Sequence, residues 1–262
     1  MILFRQVRYQ LMLFFRRPAA MFFVIIMPVV LLALLTQILG NEAIPGEWVS
    51  TAQFYTPALA VFGVVSACYI YLAVSTATSR DQGVLKRIRG TPLSPTVYMT
   101  ARIISVSIIA FISAIIVIAA GVYFLDVEML WEKFAAGCVI LFVGGLTFAA
   151  LGLAVAAMCR SSETVQAVVN ATLLPLAFLS EIFIRPGREL PDWMVRTADF
   201  FPLKHFGVAF GNAFRPSLDG HGFTFGGDDT VFTIVPELTV MAIWGIAATL
   251  VAVRFFKWDY KL

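Results

Sequence analysis

Long stretches without a charged side chain are the feature of this sequence that most restricts its fold. Four such stretches contain 22, 32, 23 and 26 residues, namely 19–40, 48–79, 103–125 and 134–159. Because an α-helix rises about 1.5 Å per residue, about 20 apolar residues cross the hydrocarbon core of a bilayer. Two shorter stretches, 164–180 and 238–253, have 17 and 16 residues and need polar ends or neighbouring protein to complete a crossing. The sequence therefore predicts an all-α polytopic membrane protein with six transmembrane helices.

The composition excludes an ordinary soluble domain. Of the 262 residues, 60% are hydrophobic and 13% are charged, whereas about one quarter of the residues in a soluble domain are charged. We predict a single transmembrane domain over residues 1–262, with spans at 19–40, 52–79, 97–125, 134–159, 164–184 and 235–255. The remaining parts are an amphipathic interfacial helix at 1–17, a basic cytoplasmic helix at 82–89, and an extracytoplasmic segment with short helices at 185–232.

The distribution of charge predicts which side of the membrane each helix end faces. With six spans and both termini in the cytoplasm, the inner side holds 13 of the 19 Lys and Arg residues and 3 of the 16 Asp and Glu residues. Membrane proteins keep an excess of Lys and Arg in their cytoplasmic segments. An odd number of spans would move one basic terminus outside. The sequence therefore predicts a multi-pass protein of the plasma membrane with both termini cytoplasmic.

A basic segment, 80–102, separates the second and third apolar stretches. Its residues 82–89 can form about two turns of helix ending at Gly90, because glycine readily adopts the left-handed dihedrals of a helix stop. Apolar and basic side chains then lie on different faces, with Val84, Leu85 and Ile88 on one and Lys86, Arg87 and Arg89 on the other. Such a helix suits docking on another protein at the membrane surface. The alternative is a solvated loop whose positive charge only fixes the topology.

The chemistry that would power transport or catalysis is missing from the sequence. No Gly-Lys pair occurs, so the phosphate-binding loop of a nucleotide hydrolase cannot be drawn. His205 and His221 lack the spacing of a metal site, and the hydrolase pattern Gly-x-Ser-x-Gly is absent. The centres of the spans carry none of the charged residues that ion-coupled carriers commonly place there. We therefore expect a channel-forming subunit that is driven by a separate motor, and neither an enzyme nor a metal site.

The basic segment resembles a motif that follows the second span in ABC type 2 transporter permeases, in particular in the daunorubicin-exporter-like drug-efflux branch. Residues 80–95 are Arg-Asp-Gln-Gly-Val-Leu-Lys-Arg-Ile-Arg-Gly-Thr-Pro-Leu-Ser-Pro, and the family pattern is Arg-Glu-x-Gly-x-Leu-x-x-Leu-x-x-Thr-Pro-Leu-Ser. Leu-Pro-Asp-Trp-Met at 190–194 and Phe-Phe-Pro-Leu at 200–203 also resemble the outer segment of that family. Asp81 departs from the pattern, because the family commonly has the longer Glu there.

The resemblance implies a bacterial exporter of two six-span permeases, each with a cytoplasmic ABC ATPase that binds ATP and Mg²⁺. This chain would hold no cofactor, and its partners would be the ATPase, a second identical or related permease and membrane lipids, with no nucleic acid. Residues 82–89 would be the coupling helix, and the interfacial helix and the turn at 160–163 would complete the surface facing the ATPase. The predicted contact residues are Arg80, Asp81, Gln82, Gly83, Val84, Leu85, Lys86, Arg87, Ile88, Arg89, Arg160, Ser161, Ser162 and Glu163.

An uncharged interior and 24 Phe residues indicate a hydrophobic or amphiphilic substrate, such as a drug-like molecule or a lipid. The candidates for the substrate path are isolated polar residues, namely Thr36, Gln37, Gln53, Gln166, Asn170 and Glu181. The alternative is that these side chains only form hydrogen bonds between spans, and that the Phe residues pack against lipid and neighbouring helices.

Two other functions fit the same residues. A related branch of the family exports lipid-linked glycans or glycolipids, although the drug-exporter-like motif favours the first interpretation. A membrane anchor or scaffold that moves nothing would have the same spans and the same basic helix. A neighbouring gene for an ATPase would favour transport, and its absence would favour the scaffold.

Overall fold

The chain folds into a helical bundle. The structure is a computed structural model that describes residues 2–42, 50–89, 94–180, 182–183, 191–214 and 231–256. In these ranges ten helices follow one another: α1 (Ile2–Phe15), α2 (Pro18–Leu39), α3 (Thr51–Asp81), α4 (Val84–Arg89), α5 (Pro95–Leu125), α6 (Phe134–Met158), α7 (Ser162–Leu179), α8 (Asp192–Phe200), α9 (Pro202–Asn212) and α10 (Val231–Phe255).

Six of these helices, α2, α3, α5, α6, α7 and α10, are long and apolar enough to cross a membrane. The predicted fold class, an all-α polytopic membrane protein, is therefore confirmed. Local signals in the sequence set where the spans begin. Pro18 starts α2, a position where its missing N–H costs no hydrogen bond. Ser94 and Ser161 cap α5 and α7, because their hydroxyls accept backbone N–H groups at 3.3 Å and 3.2 Å.

The helix α3 forms the centre of the bundle. Most of its side chains are buried, whereas α7 and α10 bury only a small share of theirs. A π-helical turn at 66–71 interrupts α3 where α6 crosses it. Gly152 of α6 permits this close approach, since a Cβ there would lie 2.7 Å from the carbonyl oxygen of Tyr69. Where small residues line the contact between two spans, the backbones of the two helices can pack directly against each other.

The first helix lies on the side of the bundle and packs against α5. The Ser105 hydroxyl donates to the Val7 carbonyl at 3.2 Å, and the buried Phe14 ring lies 5.0 Å from the ring of Tyr71. Other apolar side chains of α1, such as Phe4, are exposed. An exposed apolar face on a helix that also carries arginines is typical of a helix lying in the membrane interface.

Short segments close the end of the bundle at which α3 begins. The Gln53 amide nitrogen donates to the carbonyls of Glu128 at 3.0 Å and Phe214 at 2.7 Å, and its oxygen accepts from the Glu128 N–H at 2.8 Å. The Lys133 ammonium donates to the Asn212 carbonyl at 3.2 Å. One glutamine and one lysine thus attach α9 and the α5–α6 connection to the spans. The helices α8 and α9 are short helices of the kind predicted before the last span.

Two helix bounds differ from the prediction. The coupling helix, predicted at 82–89, begins at Val84, because Gln82 and Gly83 form a turn in which Gly83 has a φ of +68°. A left-handed φ suits glycine and redirects the chain between α3 and α4. The fifth span, predicted to reach 184, ends at Leu179. The other spans begin and end within four residues of the predicted positions.

Candidate coupling surface

Four segments meet at one end of the bundle, which we call the basic end: α1, the end of α3 with α4, the start of α5, and the turn 159–161 between α6 and α7. Consecutive spans run in opposite directions, so these segments emerge together. Hydrogen bonds join them, among them the one from the Ser162 N–H to the Asp81 carboxylate at 2.7 Å. The last residue of α3, which leads into the predicted coupling helix, is therefore bonded to the predicted α6–α7 turn.

The helix α4 presents basic residues outward and one apolar residue inward. Lys86 and Arg87 are exposed, while Leu85 is completely buried within this chain. Val84 and Ile88 are half-buried. Leu85 therefore anchors α4 to its own bundle, and the predicted contact of α4 with a partner stays a prediction. The apolar surface left to a partner consists of Val84 and Ile88.

Arg80 lies at the last turn of α3, and its guanidinium points into the protein. It donates to the carbonyls of Ala156 at 2.6 Å and Cys159 at 2.8 Å, and only 7% of Arg80 is exposed. These carbonyls belong to the end of α6, where the helix dipole attracts a cation. The guanidinium is thus bound within this chain, and contact of Arg80 with an ATPase stays a prediction.

Arg102 is a second buried cation at the basic end. Its guanidinium donates to the hydroxyls of Ser75 at 2.6 Å, Ser79 at 3.2 Å and Tyr98 at 2.7 Å. The first two hydroxyls are on α3 and the third is on α5, so Arg102 joins the two spans that flank α4. The charge distribution predicts only that Arg102, the last residue of the basic segment 80–102, lies on the cytoplasmic side. The sequence contains one indication of this contact. Ser75 and Ser79 are four residues apart, as are Tyr98 and Arg102, so each pair lies on one face of its helix.

The turn between α6 and α7 places its charges in solvent. Arg160 and Glu163 are exposed, and Ser161 is the residue whose hydroxyl caps α7. Arg160 and Glu163 are thus exposed charged side chains of the basic end, as are Lys86 and Arg87. Arg89 ends α4.

The five predicted substrate-path residues that the structure describes do not lie together at one place. Thr36 is buried and donates to the Leu32 carbonyl of its own helix at 2.8 Å, and Gln37 is exposed. Gln53 lies at the end of the bundle opposite to Gln166, and its amide bonds to two backbone segments as described above. The exposed Gln166 and the half-buried Asn170 share α7. Glu181 lies outside the described residues.

Two polar features escape sequence analysis. The Tyr69 hydroxyl, in the π-helical turn of α3, bonds to the Thr172 hydroxyl of α7 at 2.8 Å. Near the start of α3 there is a cavity of about 110 Å³ lined by Gln53, Asn212 and Ser180, among others. The Ser180 hydroxyl is buried there without a hydrogen-bond partner in the described part of the chain. Neither the Tyr69–Thr172 bond nor the cavity follows from a sequence pattern, since each brings together residues that are far apart in the chain.

The fold defines a multi-pass membrane protein with a surface of exposed charged side chains at one end. A family model described as ABC-2 type transporter matches residues 3–214. The chain belongs to this family, and the recognition made from the basic segment is confirmed.

Three relatives of this chain carry names that refer to transport. The chain is 29% identical over 184 residues, 70% of this chain and 73% of the relative, to a transport permease named YvfS of Bacillus subtilis (strain 168). It is 24% identical over 205 residues, 76% and 70% of the two chains, to the daunorubicin resistance ABC transporter permease protein DrrB1 of Streptomyces coeruleorubidus. The probable multidrug ABC transporter permease YbhR of Escherichia coli (strain K12) is 24% identical over 158 residues, 58% of this chain and 41% of that one. The chain is thus the membrane subunit of an ABC transporter.

Proposed function

We propose that this chain is the permease of an ATP-driven exporter that moves hydrophobic or amphiphilic compounds, drug-like molecules or lipids, out of a bacterial cell. A separate ABC ATPase in the cytoplasm binds ATP and Mg²⁺ and pushes on the basic end. In this arrangement both termini and the basic end face the cytoplasm, as the excess of Lys and Arg there favours.

The observation that carries the proposal is the form of the basic end. Lys86 and Arg87 project from a six-residue helix whose Leu85 is buried in the bundle, and the α6–α7 turn presents Arg160 and Glu163 beside it. A short charged helix with an anchored base can receive a push from a partner and pass it to the spans. The exposed cations can pair with acidic residues of the ATPase or with anionic lipid headgroups.

The exposed face of α7 supports a second permease beside this one. This span is the least hydrophobic of the six and buries little of its surface, and it carries Gln166 and Asn170 on the side that other helices leave open. Amide side chains are unfavourable in lipid and are expected to face protein or water. A second copy or a related chain would cover α7 and enclose the transport path. The names of two relatives, which refer to daunorubicin and multidrug resistance, support a drug-like substrate.

A double charge reversal tests the proposal. We expect Lys86→Glu with Arg87→Glu to reduce daunorubicin efflux at least about tenfold, in cells that coexpress an ABC ATPase that copurifies with the unaltered chain, because like charges would then face each other across the contact. Copurification of the ATPase in detergent is measured in parallel. Arg196→Glu is the matched control, since Arg196 is exposed on α8, away from the basic end. Normal efflux and normal copurification in the double variant would refute the assignment of α4 as the coupling helix.

A further inference from the structure

Two consecutive residues, Arg80 and Asp81, hold opposite sides of the same turn. Arg80 donates to the carbonyls of Ala156 and Cys159 at the end of α6. Asp81 accepts the N–H of Ser162, the first residue of α7, at 2.7 Å. Each charge therefore faces the helix end whose dipole it complements, the cation at the carboxyl end of α6 and the anion at the amino end of α7. The two residues are also close to each other, with 3.7 Å between Arg80 Nε and an Asp81 carboxylate oxygen.

The position of this pair along the chain gives it a mechanical consequence. Asp81 is the last residue of α3, and α4 begins three residues later, after the left-handed Gly83. The end of α3, from which the chain passes into α4, is thus fixed to the end of α6 and the start of α7 by three hydrogen bonds, all of them involving a charged group. Charge-assisted bonds are about twice as strong as neutral ones. A displacement of α4 then has to displace the turn as well.

We propose that Arg80 and Asp81 form a strap, a pair of positioning residues that makes α4 and the α6–α7 turn move as one body. The strap carries the movement of the ATPase directly into α6 and α7 instead of into α3 alone. This inference rests on the proposed function for its use in transport, while the strap itself is a property of this chain. It assigns Arg80 and Asp81 an intramolecular role in place of contact with the ATPase.

Two substitutions, Asp81→Ala and Asp81→Glu, distinguish the strap from a general structural role of this residue. We expect Asp81→Ala to raise amide hydrogen exchange at residues 162–164 by about tenfold, because the Ser162 N–H loses its charged acceptor. Asp81→Glu, the residue common in the family, keeps a carboxylate and is expected to retain most of the protection. Asp192→Ala is the matched control, since Asp192 is an exposed acid in the first turn of α8. All variants are measured as full chains in complex with the ATPase.

The transport readout is the amount of daunorubicin moved per ATP hydrolysed in proteoliposomes. We expect Asp81→Ala to lower this ratio at least about fivefold with the ATPase bound in normal amount, and Asp81→Glu to restore it. Unchanged hydrogen exchange in Asp81→Ala, an unchanged ratio despite raised exchange, or loss of the ATPase from the complex would each overturn the strap. If Asp81→Ala does not fold, Asp81→Asn replaces it, and the same outcomes apply.

The two proposals can fail separately. If reversal of Lys86 and Arg87 stops efflux while Asp81→Ala leaves the ratio unchanged, the strap is wrong and α4 remains the coupling helix. If that reversal leaves efflux normal, the proposed function of α4 is wrong, whatever the hydrogen exchange of Ser162 shows.

Discussion

Gly152 is the residue whose replacement we expect to disturb the packing of the spans most directly. A Cβ at this position would lie 2.7 Å from the Tyr69 carbonyl oxygen and 2.9 Å from that of Cys68. Both atoms belong to the backbone of α3, so no side chain can rotate away. We expect Gly152→Ala to destabilise the protein by about 1–3 kcal/mol, seen as a lower midpoint of thermal unfolding in detergent.

Gly211→Ala is the control for this prediction. Nothing lies within 4 Å of a Cβ built at Gly211, and alanine favours a helix over glycine by up to about 1 kcal/mol. The control is therefore expected to be neutral or slightly stabilising. Equal midpoints for the two variants would show that α6 and α3 can separate at little cost.

The arginines show what a single sequence can and cannot predict about a residue. The sequence predicts that the charges of the basic segment face outward, and Lys86 and Arg87 are exposed. Arg80 and Arg102 are buried instead. Periodicity assigns a face only on an amphipathic helix, whereas these two arginines lie at the ends of apolar spans. Their burial depends on carbonyls and hydroxyls of other helices, which no local pattern contains.

At the scale of elements, the Gln53 contacts predict how the end of the bundle opposite to α4 is held together. Gln53→Leu removes three hydrogen bonds to Glu128 and Phe214 and leaves buried backbone groups without a partner. We expect a loss of about 2–4 kcal/mol in stability and faster hydrogen exchange at 126–133. Gln37→Leu is the control, because Gln37 is exposed. An unchanged exchange rate at 126–133 would mean that other contacts hold this connection.

The spans themselves are well predicted from the sequence, because the bilayer fixes their length and apolar character. The second one is too long for a single crossing, and the structure gives its excess a use, since Thr51–Asp81 extends to the α6–α7 turn. The start of α4 is less well predicted. The sequence around Gly83 is also compatible with a helix that begins at residue 82. The turn is seen only in the structure, where Gly83 has a left-handed φ of +68°.

The proposed substrate path depends on the whole molecule and not on one helix. The described polar residues expected to line it are spread over α2, α3 and α7, and in the proposed pair of permeases the path would be completed only by the second chain. Residues that meet only across two chains share no pattern within a single sequence. The exposed face of α7 is the place where such a path would lie.

Thiol accessibility tests whether this face of α7 is wet. Asn170→Cys and Ile246→Cys lie at similar depth, roughly 12 and 14 Å along α7 and α10 from the basic end, and Ile246 is exposed on the outside of α10. The three native cysteines are first replaced by serine or alanine. We expect a membrane-impermeant maleimide to label Asn170→Cys at least about tenfold faster, because an amide in the middle of a span is stable beside water or protein but not in lipid. Equal and slow labelling at both positions would show that this face of α7 is dry, and the transport path would then have to lie on another face of the bundle.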